Sequence, residues 1–358
     1  MSRFRRPSLG SAFGYVPGEQ PPDDEAWTKL NTNESPLPPS PSVAPAVAEA
    51  VTGLRRYPDP EGEPLRSALA AHHAVRTDQV LVGNGADQIL EACFRAFCEP
   101  GQVAVLTRPT YSLLPLLARL GGVEVETVPL AVDGSTPAGL AAGPAALRAL
   151  VNPNSPTGTW LPPATVEALL GAVDSVVVID EAYCDFAPAS CIPLLARHDN
   201  WLIVRTFAKS HALAGLRVGY ALGDRALIAD LDAVLESYPV DRLAIAAAAA
   251  ALGDVDHHRR IVDAVVTERE RLSASLRGAG WAVGSSQANF VFVKPPGADA
   301  AGTAADLRRQ RILVRRFADH PDHLRITVGT PAENDQLLAV LGIPVEARPR
   351  PGRADRPD

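Results

Sequence analysis

Lys209 stands in RTFAKSHALAGLRVGY (205–220), just past the apolar run Leu202-Ile203-Val204 and eight residues before Arg217. An amine that is desolvated and placed near a fixed cation is pushed toward its neutral form, which attacks carbonyls and takes protons from carbon. A loop lysine also serves as a plain surface charge. Asp180 closes VVVID (176–180), and open α/β sheets bind ligands at the carboxyl ends of their strands. A carboxylate there suits a bound cation such as a protonated pyridine nitrogen, and it equally suits the cap of a following helix. Tyr183, three residues on, has a phenol able to donate to a cofactor oxygen, or a ring to pack in a core. In GNGADQ (83–88), Gly83 and Gly85 permit close backbone approach, and the N–H groups of Ala86 and Asp87 would face an anion. Gln88 takes the place of the last glycine of GxGxxG, so the motif fits a phosphate cradle or a tight turn better than a dinucleotide site. Arg217 and the Thr206 hydroxyl would complete the neutralisation of a phosphate.

These residues need strands to carry them. VLVG (80–83), VAVL (103–106), LRALV (147–151), VVVID and WLIVRTF (201–207) are continuous apolar runs, the pattern of strands buried on both faces. Helical stretches are expected at 86–98, 111–120 and 163–171, with VEVETVPL (123–130) and RVGYAL (217–222) as further strands. The expected fold class is α/β: a large, doubly wound, mostly parallel sheet spanning about 50–250, followed by a smaller α+β unit. That unit starts with a long charged helix near 257–279 and continues through NFVFV (289–293), a helix at 304–310, ILVRRF, LRITVG (324–329) and a helix near 332–341.

With 358 residues the chain can bury a full core without staples. Its net charge of −7 argues against nucleic acid or an anionic membrane as partner. Four scattered cysteines with no CxxC give neither a disulfide framework nor a zinc motif. The start of the chain lacks an apolar signal core and no run reaches membrane-spanning length, so a cytoplasmic location is expected. The histidines, at 72–73, 257–258, 320 and 323 among others, are read as solvated, with no metal site.

Taken together, the motifs resemble class I/II, fold-type-I pyridoxal-phosphate aminotransferases, and within them the histidinol-phosphate aminotransferase family. The likeness rests on LNTNESP (30–36), YPDP (57–60), GNGADQ, PTYS (109–112), NPNSPTG (152–158), DEAY (180–183), RTFAKSHALAGLRVGY, ESYPVDRLA (236–244), NFVFV and LRITVG. It implies pyridoxal 5'-phosphate as cofactor, Lys209 as the Schiff-base lysine and Asp180 as the partner of the pyridinium nitrogen. It also implies Tyr183 and Ser155 on the ring oxygen, Tyr111 stacked on the ring, and Ala86, Asp87, Thr206 and Arg217 on the phosphate. Tyr57 would reach the phosphate of a second subunit, which makes the expected assembly a homodimer with shared active sites. Arg325 would clamp the substrate α-carboxylate, with Asn33 also on the substrate side and Tyr15 and Arg315 at its distal end. The implied domains are 41–254 for the large unit, 1–40 with 255–345 for the small one, and 346–358 as a disordered tail. The expected partners are a small amino donor and a 2-oxo acid acceptor, exchanged in ping-pong fashion, with histidinol phosphate and 2-oxoglutarate/glutamate as the pair.

Three positions depart from the family pattern: Ser155 where asparagine is usual, Ala208 where serine is frequent, and Pro239 where asparagine is common. They leave room for a threonine-phosphate decarboxylase-like enzyme, or for an aminotransferase of specialised metabolism acting on an unphosphorylated substrate. A dinucleotide-dependent dehydrogenase has only the imperfect GNGADQ behind it. A regulatory domain of the same fold would need a DNA-binding extension that the sequence does not show.

Overall fold

A computed structural model describes Phe4 and residues 17–22, 25–130 and 135–345. Tyr15 and the tail 346–358, for which the sequence carries expectations, lie outside the described residues. The chain opens with strand β1 (Thr28–Leu30) and helices α1 (Val43–Val51) and α2 (Glu63–His73). An alternating series follows: β2 (Val80–Asn84), α3 (Gly85–Phe97), β3 (Val103–Arg108), α4 (Leu114–Leu120), β4 (Glu124–Pro129), β5 (Leu147–Val151), α5 (Pro163–Leu170), β6 (Val176–Asp180) and β7 (Trp201–Thr206). Next come β8 (Val218–Gly223), α6 (Arg225–Val234), α7 (Arg242–Gly253) and the long α8 (Val255–Gly278). The remaining elements are β9 (Ala282–Val283), β10 (Phe290–Lys294), α9 (Ala300–Arg309), β11 (Ile312–Phe317), β12 (His320–Thr327) and α10 (Pro331–Val340).

Seven strands form one sheet in the order β2-β8-β7-β6-β5-β3-β4. All neighbours pair parallel except β8, which runs against both β2 and β7. Successive side chains of β7 point to opposite faces, and both faces are covered: Trp201 and Ile203 enter one core, Leu202 and Val204 the other. Each such side chain contributes about 1.5–3 kcal/mol on burial. The apolar runs therefore fix the centre of the sheet, and the helices close over it.

The second sheet has the order β1-β11-β12-β10-β9. Its edge strand β1, from the start of the chain, pairs parallel with β11, so this sheet draws on segments about 280 residues apart. Helix α8 links the two sheets, with Ile261 and Val265 packed near Tyr183 and with Leu272 and Leu276 in the core of the second sheet.

Capping chemistry marks several helix starts. Asp241 accepts from the Leu243 and Ala244 N–H groups at 2.8 and 2.9 Å, and Thr330 with Glu333 forms a reciprocal capping box. Helix α4 begins at Leu114 rather than at Tyr111, because Pro115 suits a first turn and Tyr111 opens the preceding turn, its carbonyl accepting from the Leu114 N–H at 3.0 Å. Strand β8 begins at Val218, since Arg217 is left-handed (φ 53°). The four cysteines carry free thiols. Among the described residues, no helix is long and apolar enough to cross a membrane.

Candidate active site

The carboxyl ends of β2, β6 and β7 lie at one edge of the large sheet. Because β8 is reversed, its amino end, with Arg217, arrives at the same edge. The register places Gly219 opposite both Gly83 and Thr206. Gly219 permits a close approach here, since a Cβ on it would lie 2.4 Å from the Ala86 nitrogen. A cavity of about 220 Å³ opens at this edge, and the second sheet closes it from above. Its walls include Asn33, Ala86, Asp87, Tyr111, Ser155, Asp180, Tyr183, Thr206, Lys209, Arg217, Arg315 and Arg325, gathered from eight segments of the chain.

At one end α3 starts on Gly85, at φ +78°, with no side chain capping its first turn. Ala86 and Asp87 thus bring helix-terminal amides to the cavity, the setting in which helices hold anions. Arg217 Nη2 donates to Asp87 Oδ2 at 3.1 Å, and Tyr111 donates through its hydroxyl to Asp87 Oδ1 at 3.0 Å. The Asp87 side chain therefore orients both Arg217 and Tyr111, a role the backbone-only expectation for Asp87 did not contain. Thr206 Oγ1 donates to the Val218 carbonyl at 3.2 Å and accepts from the Ala208 N–H at 3.1 Å, which orders the turn leading to Lys209.

In the middle of the cavity Asp180 is only 4% exposed. Burial pushes its carboxyl up to about 7, and the negative charges of Asp87 and Glu181 add to the rise. The Ala182 N–H, donating to Asp180 Oδ1 at 2.9 Å, and Lys209 pull the other way. Lys209 Nζ lies 5.5 Å from the centre of the Tyr183 ring. The Tyr183 hydroxyl accepts from Asn33 Nδ2 at 2.9 Å. Asn33 is left-handed (φ 55°) and is fixed by Thr327, whose Oγ1 accepts from its N–H at 3.0 Å and donates to its Oδ1 at 3.1 Å.

At the far end two arginines line the cavity. Arg315 on β11 pairs in register with Arg325 on β12. Arg325 Nη1 donates to Ser155 Oγ at 3.1 Å and Nη2 to the Asn31 carbonyl at 3.1 Å. The Phe317 ring lies 5.2 Å from the Arg325 guanidinium and 5.7 Å from that of Arg315. Arg316, which sequence alone did not distinguish from Arg315, is exposed and is not among the cavity's lining residues. Sequence reasoning also missed the 17–22 segment, from which Pro17, Gly18 and Gln20 line the cavity. It is tied down by Arg315 Nη1 to the Pro17 carbonyl at 2.9 Å and by Arg308 Nη2 to Glu19 Oε1 at 2.7 Å. Only long-range packing brings these pairs together.

Tyr57 stands apart from this chain's cavity. It is 76% exposed and stacks on Tyr238, with ring centroids 4.6 Å apart. The histidines require a correction. His73 Nε2 is 2.9 Å from the Tyr220 hydroxyl, His198 Nε2 is 3.1 Å from Glu167, and His211 and His258 gather around Asp185. Three separate segments supply that last cluster, so no spacing rule could reveal it. Asp185 Oδ1 accepts from Arg205, and Oδ2 from Ser210 and His258, so hydrogen bonds from the chain itself occupy both oxygens.

A sheet edge that sets an amine, a buried carboxylate and an uncapped helix start around one cavity defines a class of enzyme, and the whole chain agrees with it. It belongs to the aminotransferase class I and II family, whose model matches residues 25–341. It is 47% identical to histidinol-phosphate aminotransferase 1 of Bordetella parapertussis, over 95% of this chain and 98% of that protein. It is 44% identical to histidinol-phosphate aminotransferase 1 of Pseudomonas aeruginosa, over 95% of this chain and 99% of that one. Among solved structures, the histidinol-phosphate aminotransferase of Sinorhizobium meliloti in complex with pyridoxal-5'-phosphate matches with a TM-score of 0.80 and 31% identity, over 87% of this chain and 89% of that one.

Proposed function

We propose that this chain is a pyridoxal-phosphate-dependent aminotransferase that exchanges an amino group between histidinol phosphate and 2-oxoglutarate/glutamate. The donor set fits that cofactor group by group. The start of α3 with Thr206 and Arg217 would hold its phosphate, Asp180 its protonated ring nitrogen, Tyr183 and Ser155 its ring oxygen, Tyr111 its ring face and Lys209 its aldehyde carbon. When bound, the cofactor supplies an aldehyde that condenses with amines and a ring that accepts the electron pair released at the substrate carbon.

The protein's own part is positioning and proton movement. Asp180 would keep the ring nitrogen in its charged form. A cation beside that carboxylate lowers its pKa in turn, which offsets the cost of burying its charge. Lys209 Nζ would take the proton from the donor's reacting carbon and hand it to the cofactor's former aldehyde carbon, and would carry out the reverse shift for the acceptor. Asn33, donating to Tyr183 at 2.9 Å, fixes the direction of the phenol.

The observation that carries the substrate reading is the Arg315–Arg325 pair, in register across β11 and β12 and both lining the cavity. Like charges directly across a sheet are destabilising, and an anion between them relieves the repulsion. A phosphate monoester carries close to two negative charges and glutamate carries two carboxylates, so a paired guanidinium site suits both halves of the exchange. Arg325 is assigned to the α-carboxylate of glutamate and Arg315, with Tyr15, to the distal anionic group.

We place the large unit at residues 41–254 and the small unit at 1–40 with 255–345. The assembly is a homodimer in the cytoplasm, in which Tyr57 reaches the partner's cavity. The exposed Tyr57–Tyr238 stack and the neighbouring exposed Val51 and Leu54 support that arrangement. The test is amino transfer by the purified protein. Glutamate should form from 2-oxoglutarate with histidinol phosphate as donor, and much more slowly with unphosphorylated histidinol. Release of carbon dioxide without amino transfer, or indifference to the phosphate, would reject this assignment.

A further inference from the structure

Ser210 follows Lys209 directly, is 1% exposed, and donates through its hydroxyl to Asp185 Oδ2. The same oxygen is 3.3 Å from His258 Nε2, and Asp185 Oδ1 accepts from Arg205 Nη1 at 2.8 Å. An ionised carboxylate only accepts, so His258 Nε2 carries the imidazole proton. Arg205 also donates to Glu181 Oε2 at 3.1 Å, and Glu181 Oε1 accepts from the Cys191 N–H at 2.6 Å, which fixes Asp185 from the sheet side. The His211 ring lies between Phe207, at 4.7 Å, and His258, stacked at 4.3 Å and 25°. The turn carrying Lys209 is thus clamped to two things: the short 3-10 turn after β6 (Cys184–Phe186) and the start of α8.

Helix α8 has a second attachment. Its Arg269 Nη1 donates to the carbonyls of Phe186 and Ala288 at 3.1 and 3.2 Å, and Leu272 and Leu276 lie in the core of the sheet that carries Arg315 and Arg325. One helix therefore reaches the Lys209 turn at one end, through His258 on Asp185 and on the His211 ring, and the substrate-gripping sheet at the other.

We propose that Ser210 and His258 are positioning residues which, through Asp185, hold Lys209 Nζ in line with the substrate carbon and tie its placement to the sheet that grips the substrate. This rests on the aminotransferase reading for its effect on rate, while the clamp itself can be measured without cofactor or substrate.

The test uses His258→Phe, which keeps a ring to stack on His211 and removes the donor, together with Ser210→Ala and the rescue variants His258→Gln and Ser210→Thr. In the cofactor-free full chain, hydrogen exchange of the 207–211 amides should quicken about 10-fold in His258→Phe, the effect of one lost hydrogen bond to a charged group. In the loaded enzyme kcat should fall about 10–100-fold, with KM for 2-oxoglutarate within about twofold, since misplacing a reacting group costs rate rather than affinity. The double variant should lose little more than the worse single one, because both act through Asp185. Recovery in His258→Gln and Ser210→Thr supports positioning. Wild-type exchange and wild-type kcat in both Ser210→Ala and His258→Phe would overturn the proposal, as would lowered thermal stability with kcat unchanged. If exchange responds but the wild-type chain transfers no amino group, the clamp stands and the functional assignment falls.

Discussion

Asp180 and Asp185 lie five residues apart, one at the end of β6 and the other in the short 3-10 turn beyond it, and their surroundings drive them in opposite directions. Burial pushes Asp180 up to about 7, against the opposing pull of the Ala182 N–H and the Lys209 charge. Burial also works against the charged form of Asp185, but Arg205, His258 and His211 hold it well below the usual carboxylate range. Asp185 has its counter-charge within the chain and serves as scaffold. Asp180 has most of its counter-charge missing from the fold and faces a cavity, as expected of a carboxylate whose partner arrives with a ligand.

Four measurements sharpen or break this contrast. The largest effect is expected for Asp180→Asn in the loaded enzyme, where kcat/KM should fall about 10²–10³-fold, the usual size for removing one electrostatic stabiliser. A variant retaining more than a third of wild-type activity would remove Asp180 from the chemistry. Asp185→Asn should instead cost stability, about 3 kcal/mol in urea unfolding, because Arg205 is left nearly buried with one anionic partner fewer. The size of that loss separates a scaffold ion pair from a surface one.

The third measurement is the pH dependence of the cofactor-free protein. The folded carboxyl of Asp180 titrates near 7, above its unfolded value of about 3.9, so its stabilising contribution is complete below about pH 4 and is lost as pH rises through 7. Asp180→Asn should therefore gain on wild type by about 2 kcal/mol or more at pH 8 and not at pH 4. Equal curves at both pH values would contradict the burial argument. The smallest effect is expected for Gly219→Ala, whose Cβ would press on the Ala86 nitrogen. Shifting the start of α3 should weaken cofactor binding about 10-fold, within the usual cost of overpacking.

Much of the large sheet is legible in the sequence, because strands buried on both faces must be apolar throughout. VVVID and WLIVRTF mark β6 and β7 within a residue of their ends. Strand direction is not legible: the run 217–222 gives no sign that β8 is reversed, although that reversal is what delivers Arg217 to the cavity. Helices α1 and α2 are hidden among prolines and glycines, with Gly62 left-handed at the start of α2. Strand β1 has three residues and is defined only by pairing with β11. At the site, residues tied to local motifs such as Gly85, Asp180 and Lys209 can be read directly. The grip of Thr327 on Asn33, the tether of Glu19 by Arg308 and the gathering of His211 and His258 around Asp185 depend on contacts across the fold.

The proposed function makes the Lys209 amine the covalent attachment point for the cofactor in the cavity it shares with Asp180. Borohydride reduction of the protein loaded with pyridoxal phosphate, followed by peptide mapping, tests it directly. The added mass should be found on Lys209 and be lost in Lys209→Ala. Mass on another lysine, or no stable addition at all, would contradict the account.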